Sequence, residues 1–108
     1  MTNTYKVLSQ TAPSATTLTD SYTVPSSTST VVSTIAVCNR GTNTNYRIAI
    51  RESGASIDPK HYIVYDQYIA SNDSIFLTLG ISIRATDVIS VYAGTNAVSF
   101  SIFGTELS

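Results

Sequence analysis

Short runs rich in Val, Ile, Thr, Tyr and Phe recur along this chain, and each ends in a cluster of Gly, Pro, Asn, Asp or Ser. A spacing of about 8–12 residues between turn signals is the pattern of an all-β sandwich or barrel. It leaves no stretch long enough for a helical period to develop. Eight strands are expected: Tyr5–Gln10, Leu18–Val24, Thr30–Asn39, Asn45–Arg51, His61–Ile69, Asp73–Leu79, Val88–Ala93 and Val98–Phe103. Before the seventh, Gly80 to Arg84 reads as a further short strand leading into a tight turn at Ala85-Thr86-Asp87. The fold class is therefore all-β: a single antiparallel β-sandwich, or a jelly-roll-like barrel, of about eight short strands. With 108 residues the chain makes one domain.

Alternation identifies the faces. Tyr46, Ile48 and Ile50 point one way and Arg47, Ala49 and Arg51 the other. Val98, Phe100 and Ile102 alternate with Ser99 and Ser101, and Ile75, Leu77 and Leu79 with Ser74, Phe76 and Thr78. One buried and one wet face is the habit of antiparallel sheets. The fifth strand departs from it, being apolar or aromatic on both sides from His61 to Ile69. Either it is covered twice, or its outer face meets a partner, a use for which tyrosine is well suited. One helical turn is expected at Asp58-Pro59-Lys60-His61, where Asp caps and Pro opens it. Residues 1–30 carry two of the three prolines and read either as two edge strands or as an arm reaching a neighbour.

Composition narrows the chemistry. Only 12% of residues are charged, against about 25% in typical domains, and Ser and Thr together make up roughly three residues in ten. Such a surface repels other proteins weakly. Net charge is −1, and Arg40, Arg47 and Arg51, the densest basic group, have Glu52 beside them. That is no nucleic-acid footprint. No apolar stretch approaches the ~20 residues of a membrane helix, and Met1 to Lys6 lacks the charge-then-apolar order of a secretory leader. The Asn72-Asp73-Ser74 sequon reads as chance.

Catalysis wants titratable groups that converge. His61 is the single histidine and reads as a loop or rim residue. No Gly-x-Ser-x-Gly elbow, Gly-rich phosphate loop or Asp-x-Asp-x-Asp-Gly calcium loop occurs. Asp73 and Asp87 sit where carboxylates cap turns. Cys38, the lone cysteine, reads as a small buried strand residue. No enzyme, cofactor or metal is expected.

Several segments in order carry a resemblance. They are Thr4-Tyr5-Lys6-Val7-Leu8, Tyr22-Thr23-Val24-Pro25, the run from Val32 to Gly41, His61-Tyr62-Ile63-Val64-Tyr65-Asp66, the run from Ala85 to Ala93, and Ser99 to Glu106. In these strand-and-turn patterns the chain resembles small virion structural proteins of tailed phages, of the cyanophage and marine-phage type. The resemblance implies a capsid decoration (cement) protein on the exterior of the virion, made in the host cytoplasm. It would bind the major capsid protein and itself, as a homotrimer. A tail, fibre or baseplate module is the alternative within the virion. A carbohydrate-binding sandwich is another, with Tyr62, Tyr65 and Tyr68 as the platform and Asp66 beside them. The residues expected at a protein interface are Tyr5, Tyr62, Tyr65, Tyr68, Arg47 and Arg51.

Overall fold

The computed structural model describes residues 2–108. They form eight strands: β1 (Asn3–Thr11), β2 (Thr19–Thr23), β3 (Ser29–Asn39), β4 (Thr44–Arg51), β5 (Tyr62–Ile69), β6 (Ser74–Arg84), β7 (Val88–Ala93) and β8 (Val98–Leu107). Two short 3-10 turns, Glu52–Gly54 and Pro59–His61, lie between β4 and β5. The first falls on the turn-rich break Glu52-Ser53-Gly54 that follows the fourth expected strand. The second is the expected one, with Asp58 accepting from the Lys60 N–H.

All pairing is antiparallel, and it is nested: β1 with β8, β2 with β7, β3 with β6, β4 with β5. The chain is thus one long hairpin folded over on itself. Two further pairings, β3 with β8 and β4 with β7, join the halves into sheet I, ordered β1-β8-β3-β6, and sheet II, ordered β2-β7-β4-β5. This is the strand order of a jelly roll. The two sheets share no ladder, so the molecule is a sandwich of two four-stranded sheets and not a closed barrel. The edge strands β1 and β2 come from the segment read as edge strands or an arm.

Three strands outrun their apolar pattern. β1 begins at Asn3, β8 continues to Leu107, and β6 runs unbroken through Gly80 to Arg84, absorbing the short strand expected there. The extension is a ladder effect: Asn3 pairs with Leu107, and Leu107 with Ser29, so polar residues are held by their neighbours' backbones.

The core lies between Val32, Ile35 and Val37 of β3 with Val98, Phe100 and Ile102 of β8, and Tyr46, Ile48, Ile89 and Val91 of β4 and β7, all essentially unexposed. Each such side chain contributes roughly 1.5–3 kcal/mol by burial. In β3 the inward row changes parity at Ser33, from Thr30 and Val32 to Ile35 and Val37, because the register slips there against both neighbours. A matching slip at Leu8 of β1 bends the sheet at the same level. Gly104 sits between the two irregularities, and a Cβ on it would lie 2.2 Å from the Val31 carbonyl oxygen. Only glycine permits that approach.

Two sequence expectations about burial are corrected. Cys38 faces outward from sheet I and is half-buried, because the Ser33 slip assigns the inward positions to Val37 and Asn39. His61 is buried, not a rim residue: its Nδ1 accepts the Asp58 backbone N–H at 3.0 Å, completing the cap of its own turn. Asp87 fulfils its turn role, accepting from the Arg84 N–H at 3.0 Å, and adds a tie to the other turn through the Ser53 N–H at 2.8 Å.

The β1–β2 flank is stitched across the sheets. Ser9 Oγ and Thr11 Oγ1 lie 2.6 and 2.8 Å from Ser21 Oγ. Further along, the Tyr22 hydroxyl donates to Glu106 Oε2 at 2.5 Å and lies 2.9 Å from Thr30 Oγ1, while Lys6 pairs with Glu106 at 2.8 Å. Lys6 and the Tyr22 hydroxyl hold the Glu106 carboxyl below its ordinary range. Burial first, then the Glu106 carboxylate, pushes the Tyr22 phenol up to about 12.

Two predictions follow from these contacts. The Tyr46 hydroxyl is buried with no hydrogen-bond partner among the described residues, and an unmet buried hydroxyl costs about 1–3 kcal/mol. Tyr46→Phe is therefore expected to match or exceed the parent in urea denaturation, by up to about 1 kcal/mol. Glu106, with its lowered folded value, stabilises the fold above the ordinary carboxylate pKa, and this is lost as pH falls through the folded value. Tyr22, raised from 10.0 to about 12, contributes below pH 10 and loses its contribution as pH climbs towards 12. Melting temperatures across pH should show a gap between the parent and Glu106→Gln at neutrality that closes in acid.

Candidate functional site

The outer faces of the two sheets differ sharply. On sheet II, a bulge in β5 creates a cluster. Tyr46 pairs with Gln67 and Ile48 with Val64, so Tyr65 and Asp66 together face the single residue Arg47. Asp66 takes the left-handed backbone, φ 51°, that such a bulge needs. Its carboxylate accepts from Arg47 Nε at 2.6 Å and Nη2 at 3.3 Å. The guanidinium carbon lies 4.3 Å from the Tyr65 ring centre and 4.2 Å from that of Tyr92, its register partner on β7. Arg47 is thus stacked by two rings and gripped at its edge, and the bond to Asp66 raises its pKa further. Tyr62 packs edge-on against Tyr65, centres 4.9 Å apart.

Beside this cluster runs an open groove of about 520 Å³ lined by Ile57, Asp58, Pro59, Tyr62 and Tyr65. Its wall is the β4–β5 connection, whose second turn packs over β4. That covering, with Tyr62 opposite, explains why Ala49 is buried although it belongs to the outward row.

Arg51 is committed elsewhere. It bonds Asp20 at 2.6 Å, Ser90 Oγ at 3.1 Å and the Gly54 and Ala55 carbonyls at 3.3 and 3.0 Å. It clamps β2, β4, β7 and the first 3-10 turn, with little left to offer a partner. Tyr68 stands apart on the rim, opposite Asn45. Of the six residues singled out from the sequence, the structure brings together Tyr62, Tyr65 and Arg47. Tyr5 is on the other sheet, 79% exposed.

The outer face of sheet I carries no charge across its breadth. Register sets its rows: Tyr5, Thr105, Val31 and Ser82; then Val7, Phe103, Thr34 and Thr78; then Gln10, Ser101, Ala36 and Phe76. Lys6 and Glu106 turn inward to Tyr22, and Arg84, at the far end of β6, pairs with Glu52. Val7, Val31 and Phe76 stand 49%, 37% and 69% exposed. Alternation in β1, β3, β6 and β8 could have revealed this face, since every outward position there short of Arg84 is uncharged. Tyr92 was out of reach, because its pairing with Arg47 spans more than forty positions.

Among the described residues no three His, Cys, Asp or Glu side chains are placed to share a metal. Compared with known proteins, the chain matches no protein-family model and no curated protein.

Stacking of the Arg47 guanidinium should be measurable in stability. A double-mutant cycle between Arg47→Met and Tyr65→Leu is expected to give a coupling of about 0.5–1 kcal/mol.

Proposed function

We propose that this protein is a non-enzymatic structural protein of a tailed-phage virion, a decoration protein that binds the capsid exterior and stabilises the lattice of the major capsid protein. The observation that carries the reading is the uncharged outer face of sheet I. An uncharged sheet surface bearing Tyr5, Val7, Val31 and Phe76 among hydroxyls loses little on leaving water. Exposed apolar patches of this kind mark protein contacts. The resemblance of the strand-and-turn segments to virion proteins supplies the partner. Binding only the expanded lattice would stabilise that state by mass action.

A second reading has its own observation. The groove at Tyr62 and Tyr65 offers aromatic rings beside the Asp58 carboxylate, a combination suited to a sugar ring, whose C–H face packs on aromatics and whose hydroxyls donate to carboxylates.

One experiment separates the two. The purified protein is expected to co-sediment with expanded, undecorated tailed-phage capsids, and Val31→Lys should weaken this at least tenfold, since it buries an unpaired charge. Tyr62→Ala should leave it unchanged. A protein that ignores capsids but binds a glycan array, with binding lost in Tyr62→Ala, establishes the carbohydrate reading instead.

A further inference from the structure

Sandwich flanks are where sheets end, and the two flanks here are treated differently. The β1–β2 flank is closed by the Ser9, Thr11 and Ser21 hydroxyls and by Tyr22 with Glu106. The β5–β6 flank has no such stitching among the described residues. On β6 the inward row Ile75, Leu77, Leu79 and Ile81 is only half-buried. The equivalent rows on β3 and β8 are wholly buried. Opposite them Val64 is only half-buried. The core is left open along this side.

The edges differ too. Exposed strand edges invite pairing, and proteins blunt them with charge, bulges or brevity. β1 carries Lys6, β2 has five residues and Asp20, and β5 has the Asp66 bulge. β6 is an eleven-residue edge with no charge from Ser74 to Ile83 and no proline. Its register against β3 is regular from Ser74 to Thr78 and slips by one residue across Leu79 and Gly80, while its own inward row Ile75, Leu77, Leu79, Ile81 and Ile83 alternates without a break.

We propose that β6 pairs antiparallel with the β6 of a second copy about a two-fold axis, joining two sheets I into one eight-stranded sheet and covering both open flanks. Three features choose a second copy over another chain. An antiparallel edge presents the same donor and acceptor order from either end, so a two-fold rotation makes it its own complement. With no charge from Ser74 to Ile83, and Arg84 at the end already paired with Glu52, self-pairing along this run meets no repulsion and offers an unlike partner little to match. The size also fits. Eleven residues span about 36 Å. With the sheet spacing and flanking side chains, the flank measures about 600 Å² per copy, or about 1,200 Å² for the pair, the lower end of specific interfaces. The trimer expected from the resemblance would need two different patches in head-to-tail contact, whereas this flank is one continuous strip. The inference is independent of what the outer face of sheet I binds.

Sedimentation equilibrium across a wide concentration range, combined with hydrogen exchange, tests it. The parent should show twice the 11.6 kDa chain mass, with protection on both alternating sets of β6 amides, those facing β3 and those facing away. Leu77→Lys, whose side chain points into the open flank, should halve the mass and speed exchange of the outward amides at least tenfold, with the near-ultraviolet dichroism of the fold retained. Val31→Lys should leave the dimer intact. A monomeric or trimeric parent, or a dimer whose outward β6 amides exchange at solvent rates, overturns the proposal. That exchange pattern decides the matter even if Leu77→Lys fails to fold. A monomer that still binds capsids removes the pairing and leaves the lattice reading standing; a dimer that ignores capsids does the reverse.

Discussion

Strands β3 and β8 meet at the centre of sheet I, and everything else hangs on that pairing. Ile35 lies opposite Ile102 and Val37 opposite Phe100, partners more than sixty positions apart. Nested hairpin pairing alone would give a long ribbon. Only the two central pairings, β3 with β8 and β4 with β7, fold that ribbon into two layers with a core between them. They are also the costliest to form, because the chain must close large loops before any contact repays it. Most of the largest fully buried side chains, Ile69 and Val24 apart, lie on these four strands, so the burial energy is concentrated where the entropy loss is greatest.

Strand existence was legible because it is written locally, in alternation and in turn residues. Val88–Ala93 is matched end to end, and the other starts fall within two residues of their expected positions. Strand partners were not legible. Alternation says which way a side chain points but not across from whom, so the stacking of Tyr92 on Arg47 could not be foreseen. The register slips were equally silent. The Ser33 slip exchanges inside for outside, and with it the fate of Cys38. The Asp66 bulge puts Tyr65 and Asp66 on the same arginine, where strict alternation would separate them. Backbone irregularities, not the regular strands, build the candidate site. They come from the fit between neighbours and leave little trace in a single strand's sequence.

The two-sided apolar character of the fifth strand was read as either double cover or a partner surface. The structure removes the first of these. The strand is an edge, Tyr62 leans on Tyr65 and Tyr65 on Arg47, and Val64 looks onto an incompletely closed flank. An apolar excess in a strand thus reflects its place at a seam as well as its depth.

Low charge takes on a specific meaning once the pairs are placed. Of six basic residues, Lys6, Arg47, Arg51 and Arg84 each have a carboxylate within 3.0 Å. The glutamate of the first pair and the arginines of the second and third are well covered, so these charges act as internal ties between strands that are far apart in sequence. Arg47 joins β4 to the β5 bulge, Arg51 joins β4 to β2, and Lys6 with Glu106 helps hold β1 and β8 to Tyr22. Few charges remain to dress the surface or steer a partner. The outer face of sheet I can meet a partner only through shape, hydroxyls, aromatic rings and free backbone groups. Those contacts are short-ranged and gain strength only from area, so a small domain built this way holds a partner best when several surfaces act at once.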